Sequence, residues 1–131
     1  MTDLEVSSAA ASVTLTLAQY ARAVDRRDAH AVAQILSRCE VVFKGSPVMK
    51  GADIEQFYAA AFQQPTEVRT LHAVLATSAT VRGDTAVYEA PYLRFEPPGE
   101  LPVLTATGVY RGRAVRAEGA WRIQQLTVSS D

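Results

Sequence analysis

The 131-residue sequence is poor in the residues that build many familiar sites. Cysteine occurs once, at Cys39, so no intrachain disulfide can form, and a reducing compartment, the cytoplasm, is the expected location. There are two histidines, His30 and His72, and no run of His, Cys, Asp or Glu at metal-ligand spacing, so no metal is expected. No glycine-rich phosphate loop is present, and no cofactor is expected. Neither sign of charge dominates: 13 Lys and Arg against 14 Asp and Glu leave a net charge of −1. That balance argues against nucleic acid or an anionic membrane surface as a partner. No apolar run approaches the roughly 20 residues that cross a bilayer. Asp3 and Glu5 stand where a signal peptide would carry basic residues, so none is expected. Repeats, low-complexity blocks and linkers are missing too. Residues 1–131 therefore read as one domain, with 1–7 as a loose tail.

What is there is patterned. Val13, Leu17, Tyr20 with Ala21, and Val24 recur at three- and four-residue steps, which predicts a helix over Ser8–Arg26. Asp28 precedes Ala-His-Ala-Val and reads as the N-cap of a second helix reaching about Arg38. Glu40–Lys44 is a short strand, and Gly45, Pro47 and Gly51 break the chain after it. Ala52–Gln64 has helical spacing and meets Pro65. Everything beyond reads as β: Val68–Arg82, a hairpin at Gly83–Asp84, Thr85–Phe95, a Pro-rich loop over Glu96–Pro102, Val103–Arg116, and Trp121–Ser129. The order α-α-β-α-β-β-β-β is that of an α+β protein. Three N-terminal helices would pack on one curved, mostly antiparallel sheet, a cone-shaped α+β barrel enclosing a pocket open at one end.

The strands suggest where that pocket lies. Counting by two puts Val68, Thr70, His72, Val74 and Ala76 on one face, mixed in polarity as a cavity wall would be. On the next strand Ala86, Tyr88, Ala90, Tyr92 and Arg94 share a face. Small residues alternating with tyrosine leave room for a ligand and supply hydroxyls; the same pattern also suits a core or a dimer interface. Asp25 borders the apolar stripe of the first helix with no local role, unlike the cap Asp28. A salt bridge to Arg116 or Arg122 is one alternative for it. Cys39 reads as a small apolar residue at a helix end, and His30 as a surface residue.

Several local motifs in this order resemble the nuclear transport factor two-like superfamily, and within it the SnoaL-like group of polyketide cyclases and their relatives. They are Tyr20, Asp25 and Asp28 in YARAVDRRD, Gly51, Phe57 and Tyr58 in KGADIEQFY, His72, RGDTA from Arg82, and Gly108–Tyr110 with Trp121–Ile123. The scytalone dehydratase and dehydrochlorinase branch is similar in pairing a first-helix Asp with a strand His. That likeness implies a dyad of Asp25 and His72, with Tyr20 at the matching first-helix position and Arg116 as a helper. In the ketosteroid isomerase branch the base position falls near Phe43 and a second Asp near Gly108, so both carboxylates of that chemistry are missing. The implied substrate-binding residues are Tyr58, Tyr88, Tyr92, Phe43 and Arg116. The implied activity is a cofactor-independent cyclisation, isomerisation, dehydration or elimination of a small, apolar, oxygenated molecule, in natural-product metabolism. A homodimer through the sheet is implied as well. The competing expectations are a non-catalytic ligand-binding or dimerisation module and, more remotely, an epoxide hydrolase using Asp25.

Overall fold

The computed structural model describes residues 2–64, 69–96 and 101–130. Helix α1 spans Asp3–Asp25 and starts five residues before the expected Ser8. Residues 3–7 are thus helical, which corrects the expected tail. The cause is a capping box in TDLE: Glu5 N–H donates to Thr2 Oγ1 at 3.1 Å, and the Glu5 carboxylate accepts from Thr2 N–H at 3.4 Å. The apolar stripe turns inward as its spacing requires, burying Val13, Leu17, Tyr20 and Ala21. Arg27, at φ 57°, reverses the chain, and the Asp28 carboxylate then accepts from Ala31 N–H at 3.0 Å to cap α2, Ala29–Ile35. That helix is shorter than expected.

Strand β1 covers Glu40–Phe43 and helix α3 Ala52–Phe62. The expected stop at Pro65 lies outside the described residues, as do Val68 and positions 97–100 of the Pro-rich loop. The long strand expected over 68–82 is instead two, β2 at Leu71–Val74 and β3 at Ser78–Arg82. Both pair antiparallel with β4, Thr85–Glu96. The break faces Pro91 in the middle of β4, whose carbonyl accepts from Leu75 N–H at 2.8 Å. A strand residue directs its N–H and C=O to the same side, so the donor that proline lacks is missing where β2 and β3 part. Strands β5 (Val103–Ala117) and β6 (Ala120–Ser130) complete a six-stranded sheet in the order β1-β6-β5-β4-β2, with β3 also on β4. Among the described strands only the β1–β6 pairing is parallel. The sheet is curved but open: β1 forms one edge and β2 with β3 the other, so the cone is not a closed barrel.

Over the first eight residues of β4 burial alternates strictly, with Ala86, Tyr88, Ala90 and Tyr92 facing the helices. Two glycines on β5 make this possible. Tyr88 is paired with Gly112 and Tyr92 with Gly108. A Cβ at Gly108 would stand 2.3 Å from the Tyr92 ring, and one at Gly112 would stand 3.0 Å from the Tyr88 hydroxyl. The glycines leave the space the tyrosines occupy. No helix among the described residues is long and apolar enough to cross a membrane.

Candidate active site

Asp25 is the last residue of α1, and its side chain reaches across to β2. Oδ1 lies 2.6 Å from His72 Nδ1 and accepts from Thr70 Oγ1 at 2.9 Å, while Oδ2 accepts from His72 N–H at 2.8 Å. Three donors from a three-residue stretch therefore converge on one carboxylate. An ionised carboxylate only accepts, so a neutral His72 carries its proton on Nδ1 and a lone pair on Nε2; this tautomer is assigned from the bonding pattern. The pair is secluded, with the side chains of His72 and Asp25 11% and 13% exposed. The salt-bridge alternatives for Asp25 do not form, because Arg116 is bound to Asp84 and Arg122 lies beside Cys39 and Trp121.

His72 lines a cavity of about 210 Å³ inside the cone. The lining is aromatic: Phe43, Phe57 and Phe62 contribute apolar surface, while Tyr20, Tyr58, Tyr92 and Tyr110 add hydroxyl-bearing rings. The Tyr20 and Tyr58 hydroxyls are 2.5 Å apart. Tyr110 stacks on Tyr92 with centroids 4.5 Å apart and meets Tyr20 edge-on at 5.7 Å. Burial, reinforced by the neighbouring tyrosines, pushes the Tyr20 hydroxyl well above the usual tyrosine range. Burial raises Tyr58 too, against a lowering by its bond to Tyr20. In Tyr110 burial acts with Tyr92, Tyr58 and the Asp25 charge in the same upward direction. All three therefore remain protonated donors at neutral pH. The Tyr92 hydroxyl donates to Ser129 O at 3.2 Å. Thr70 and His72 also line a groove of about 550 Å³ between α1 and β2, so the dyad forms part of the wall dividing groove from cavity.

Of the candidates named from sequence, Asp25, His72, Tyr20, Tyr58, Tyr92 and Phe43 come together here. Two do not. Tyr88 is core: its hydroxyl donates to Gln125 O at 2.9 Å, and it is absent from the cavity lining. Arg116 lies at the β5–β6 hairpin, where Nε and Nη2 donate to Asp84 Oδ1 at 3.0 and 2.8 Å and the guanidinium stacks over Trp121. Tyr110 and Thr70 have no role assigned from sequence. Tyr110 could have been found by counting by two from Gly108 and Gly112, the glycines that open this face of β5. The other polar residues behave as the composition suggests. His30 is exposed and 3.1 Å from Glu55. Cys39 is buried, its thiol directed at Ile123 O, and burial raises it to about 11 despite the opposing Arg122 charge. Among the described residues no three His, Cys, Asp or Glu side chains gather to hold a metal ion.

An open cone of three helices on a curved six-stranded sheet is the NTF2-like class of fold. The fold recurs in an NTF2-like protein with a cystatin-like fold from Novosphingobium aromaticivorans (TM-score 0.67, 21% identity, covering 91% of this chain and 79% of that one). Aln2 from a Streptomyces species superposes with a TM-score of 0.73 at 19% identity, covering 92% of this chain and 89% of that one. ActVI-ORFA from Streptomyces coelicolor gives 0.69 at 17% identity, covering 92% and 96%. At such identities the likeness is one of fold. No curated protein matches the chain. Within the class, the chain belongs to the SnoaL-like domain family, whose model matches residues 5–127.

Proposed function

We propose that this protein is a cofactor-independent lyase, isomerase or cyclase, with His72 as general base and Asp25 as the group that orients it. The observation that carries the proposal is the 2.6 Å contact of His72 Nδ1 with Asp25 at the wall of an aromatic cavity. With Nδ1 bound to the carboxylate, Nε2 is left to accept a substrate proton, and the Asp25 charge stabilises the imidazolium that results. The natural target is a C–H next to a carbonyl, because its removal leaves an enolate that hydroxyl donors can hold. The Tyr20–Tyr58 pair is suited to hold it, since two hydroxyls joined by one hydrogen bond keep one proton for a third oxygen. The imidazolium then returns its proton. Delivery to another carbon isomerises the substrate. Delivery to a departing β-hydroxyl as the C–O bond breaks releases water and leaves an alkene. Delivery to the alkoxide formed when the enolate carbon attacks a second carbonyl completes an aldol ring closure. The cavity is smaller than the roughly 300–1,000 Å³ of most ligand sites, so a molecule of one or two rings fits best. We place such a substrate in natural-product metabolism, and we infer a homodimer through the exposed outer face of the sheet, where Val87 is 63% exposed.

Deuterium incorporation tests this reading. Small cyclic ketones and β-hydroxyketones are incubated in deuterated water with the parent protein and with His72→Ala, folding being checked by circular dichroism. Exchange at the α-carbon that depends on His72 is expected. Exchange that is absent across the panel, or unchanged in the variant, would overturn the proposal and favour a non-catalytic binding module.

A further inference from the structure

The cavity contains more than aromatics and the dyad. Two cations line it, Lys44 and Arg94, and among the described lining residues there is no Asp or Glu. They arrive from different strands of the curved sheet, Lys44 from the end of the edge strand β1 and Arg94 from the interior strand β4. Lys44 follows the last residue of β1 and is held by its N–H bond to Val128 O on β6 at 2.8 Å. Arg94 lies near the end of β4, directly paired with His72 of β2. Residues so paired project from the same face with their Cβ atoms about 5 Å apart. Arg94 therefore lines the chamber beside the base.

The two cations differ in freedom. Lys44 is exposed, with its ammonium 5.3 Å from the centroid of the Phe43 ring. It makes no ion pair with any described residue. Arg94 is anchored: Nη1 donates to Glu96, an ion pair in direct contact, and to Thr105 Oγ1 at 3.1 Å. A guanidinium has five N–H donors on three nitrogens, so these bonds orient it and leave Nε and Nη2 without a hydrogen bond to any described residue. An anchored guanidinium with spare donors and an exposed ammonium, on a chamber whose described lining carries no acidic side chain, form a receptor for a carboxylate. A neutral ligand would give the Lys44 ammonium no counter-charge and would leave Arg94 with only Glu96 and Thr105.

Resting on the reading of this cavity as the substrate site, we propose that the substrate is an aromatic or alicyclic carboxylic acid. Its ring packs against Phe43, Phe57 and Tyr58, and its carboxylate is held by Lys44 and Arg94. The ionised group thus sets which end of the ring faces His72, and Lys44 and Arg94 are specificity-determining residues.

Two probes of the same shape separate this from simple hydrophobic binding: 2-naphthoate and its uncharged amide, 2-naphthamide. Binding is followed by NMR titration at low ionic strength in the parent, Lys44→Gln, Arg94→Gln and His72→Ala. The acid is expected to bind about tenfold more tightly than the amide, a preference that shrinks as salt is added. Lys44→Gln should remove a good part of that preference without affecting the amide, and Arg94→Gln should remove more. His72→Ala should keep it. Lys44 is exposed at a turn, so its variant folds whatever happens at Arg94. Equal affinity for acid and amide, no binding of either, or an acid affinity untouched by both substitutions would overturn the proposal. Catalysis is scored separately. His72-dependent deuterium exchange without acid preference sinks this inference alone, and acid preference without exchange sinks only the catalytic reading.

Discussion

Replacing Asp25 by Asn probes the dyad with almost no change of shape. The carboxylate accepts three hydrogen bonds, from His72 Nδ1, His72 N–H and Thr70 Oγ1. Asparagine keeps one oxygen, which at the Oδ2 position still accepts from His72 N–H. Its amide donor then takes the Oδ1 position, facing both Thr70 Oγ1 and His72 Nδ1, and the imidazole must accept through Nδ1. The ring proton then moves to Nε2 and the lone pair needed for proton abstraction is lost. Hydrogen bonds to a charged group contribute about 1.5–3 kcal/mol each and neutral ones near 1 kcal/mol, so exchanging three of the first kind for three of the second should cost Asp25→Asn at least about 1.5 kcal/mol of stability. Asp25→Ala removes both acceptor oxygens, and with them all three hydrogen bonds, and strands a half-buried N–H, for about 3–5 kcal/mol. On catalysis the order reverses in meaning: the isosteric Asn should already lower His72-dependent exchange by two to four powers of ten, the usual contribution of a positioned base. Urea denaturation gives the stabilities, nitrogen-15 spectra of the histidine ring give the tautomer, and deuterium incorporation gives the rate. An Asn variant that keeps the Nδ1–H tautomer and the parent rate would refute the reasoning, and so would an Ala variant no less stable than Asn.

Three other perturbations test the packing around the site. Gly108→Ala puts a Cβ 2.3 Å from both the Tyr92 ring and Ser129 O, so a loss of about 3 kcal/mol or more is expected in urea denaturation, with the aromatic signals of the chamber displaced. In alkali, Tyr20, Tyr58, Tyr88 and Tyr110 hold their protons above the unfolded value of about 10, with burial the first cause in each. Between that value and their folded ones the unfolded chain binds fewer protons. Stability should therefore be full below about pH 10 and fall above it by up to about 1.4 kcal/mol per pH unit for each of these tyrosines, with the absorbance of these four tyrosinates appearing only as the protein unfolds. Cys39, raised to about 11 by burial, should react with a disulfide reagent at pH near 8 about a hundredfold more slowly folded than in urea.

How much of this is legible in the sequence depends on the distance between cause and effect. The stripe Val13, Leu17, Tyr20 is legible because its cause, helical spacing, is local; so is the cap at Asp28. The capping box TDLE is equally local, yet it reads as a tail when only apolar spacing is counted. The break between β2 and β3 has its cause on another strand, at Pro91, and no count along 68–82 finds it. Asp25 stands out as a carboxylate without employment, yet its partner is 47 residues away, and only the family resemblance joins the two.

The two misplaced candidates show a second limit, which is geometric. Period-two counting identifies the face a strand residue occupies and says nothing of how far along the strand a cavity extends. Tyr88 and Tyr92 share a face, but four residues separate them by roughly 13 Å, and the chamber reaches only Tyr92. Arg116 is six residues beyond Tyr110 on β5, roughly 20 Å at strand spacing, which is out of reach of any side chain. Register supplies the missing coordinate. Once Tyr92 is set against Gly108, Arg94 against His72 and β1 beside β6, the chamber must lie where Tyr92, Tyr110 and His72 meet. The residues that enter it, Thr70, Arg94, Tyr110 and Lys44 included, then follow from two neighbouring strands read together rather than from any one of them.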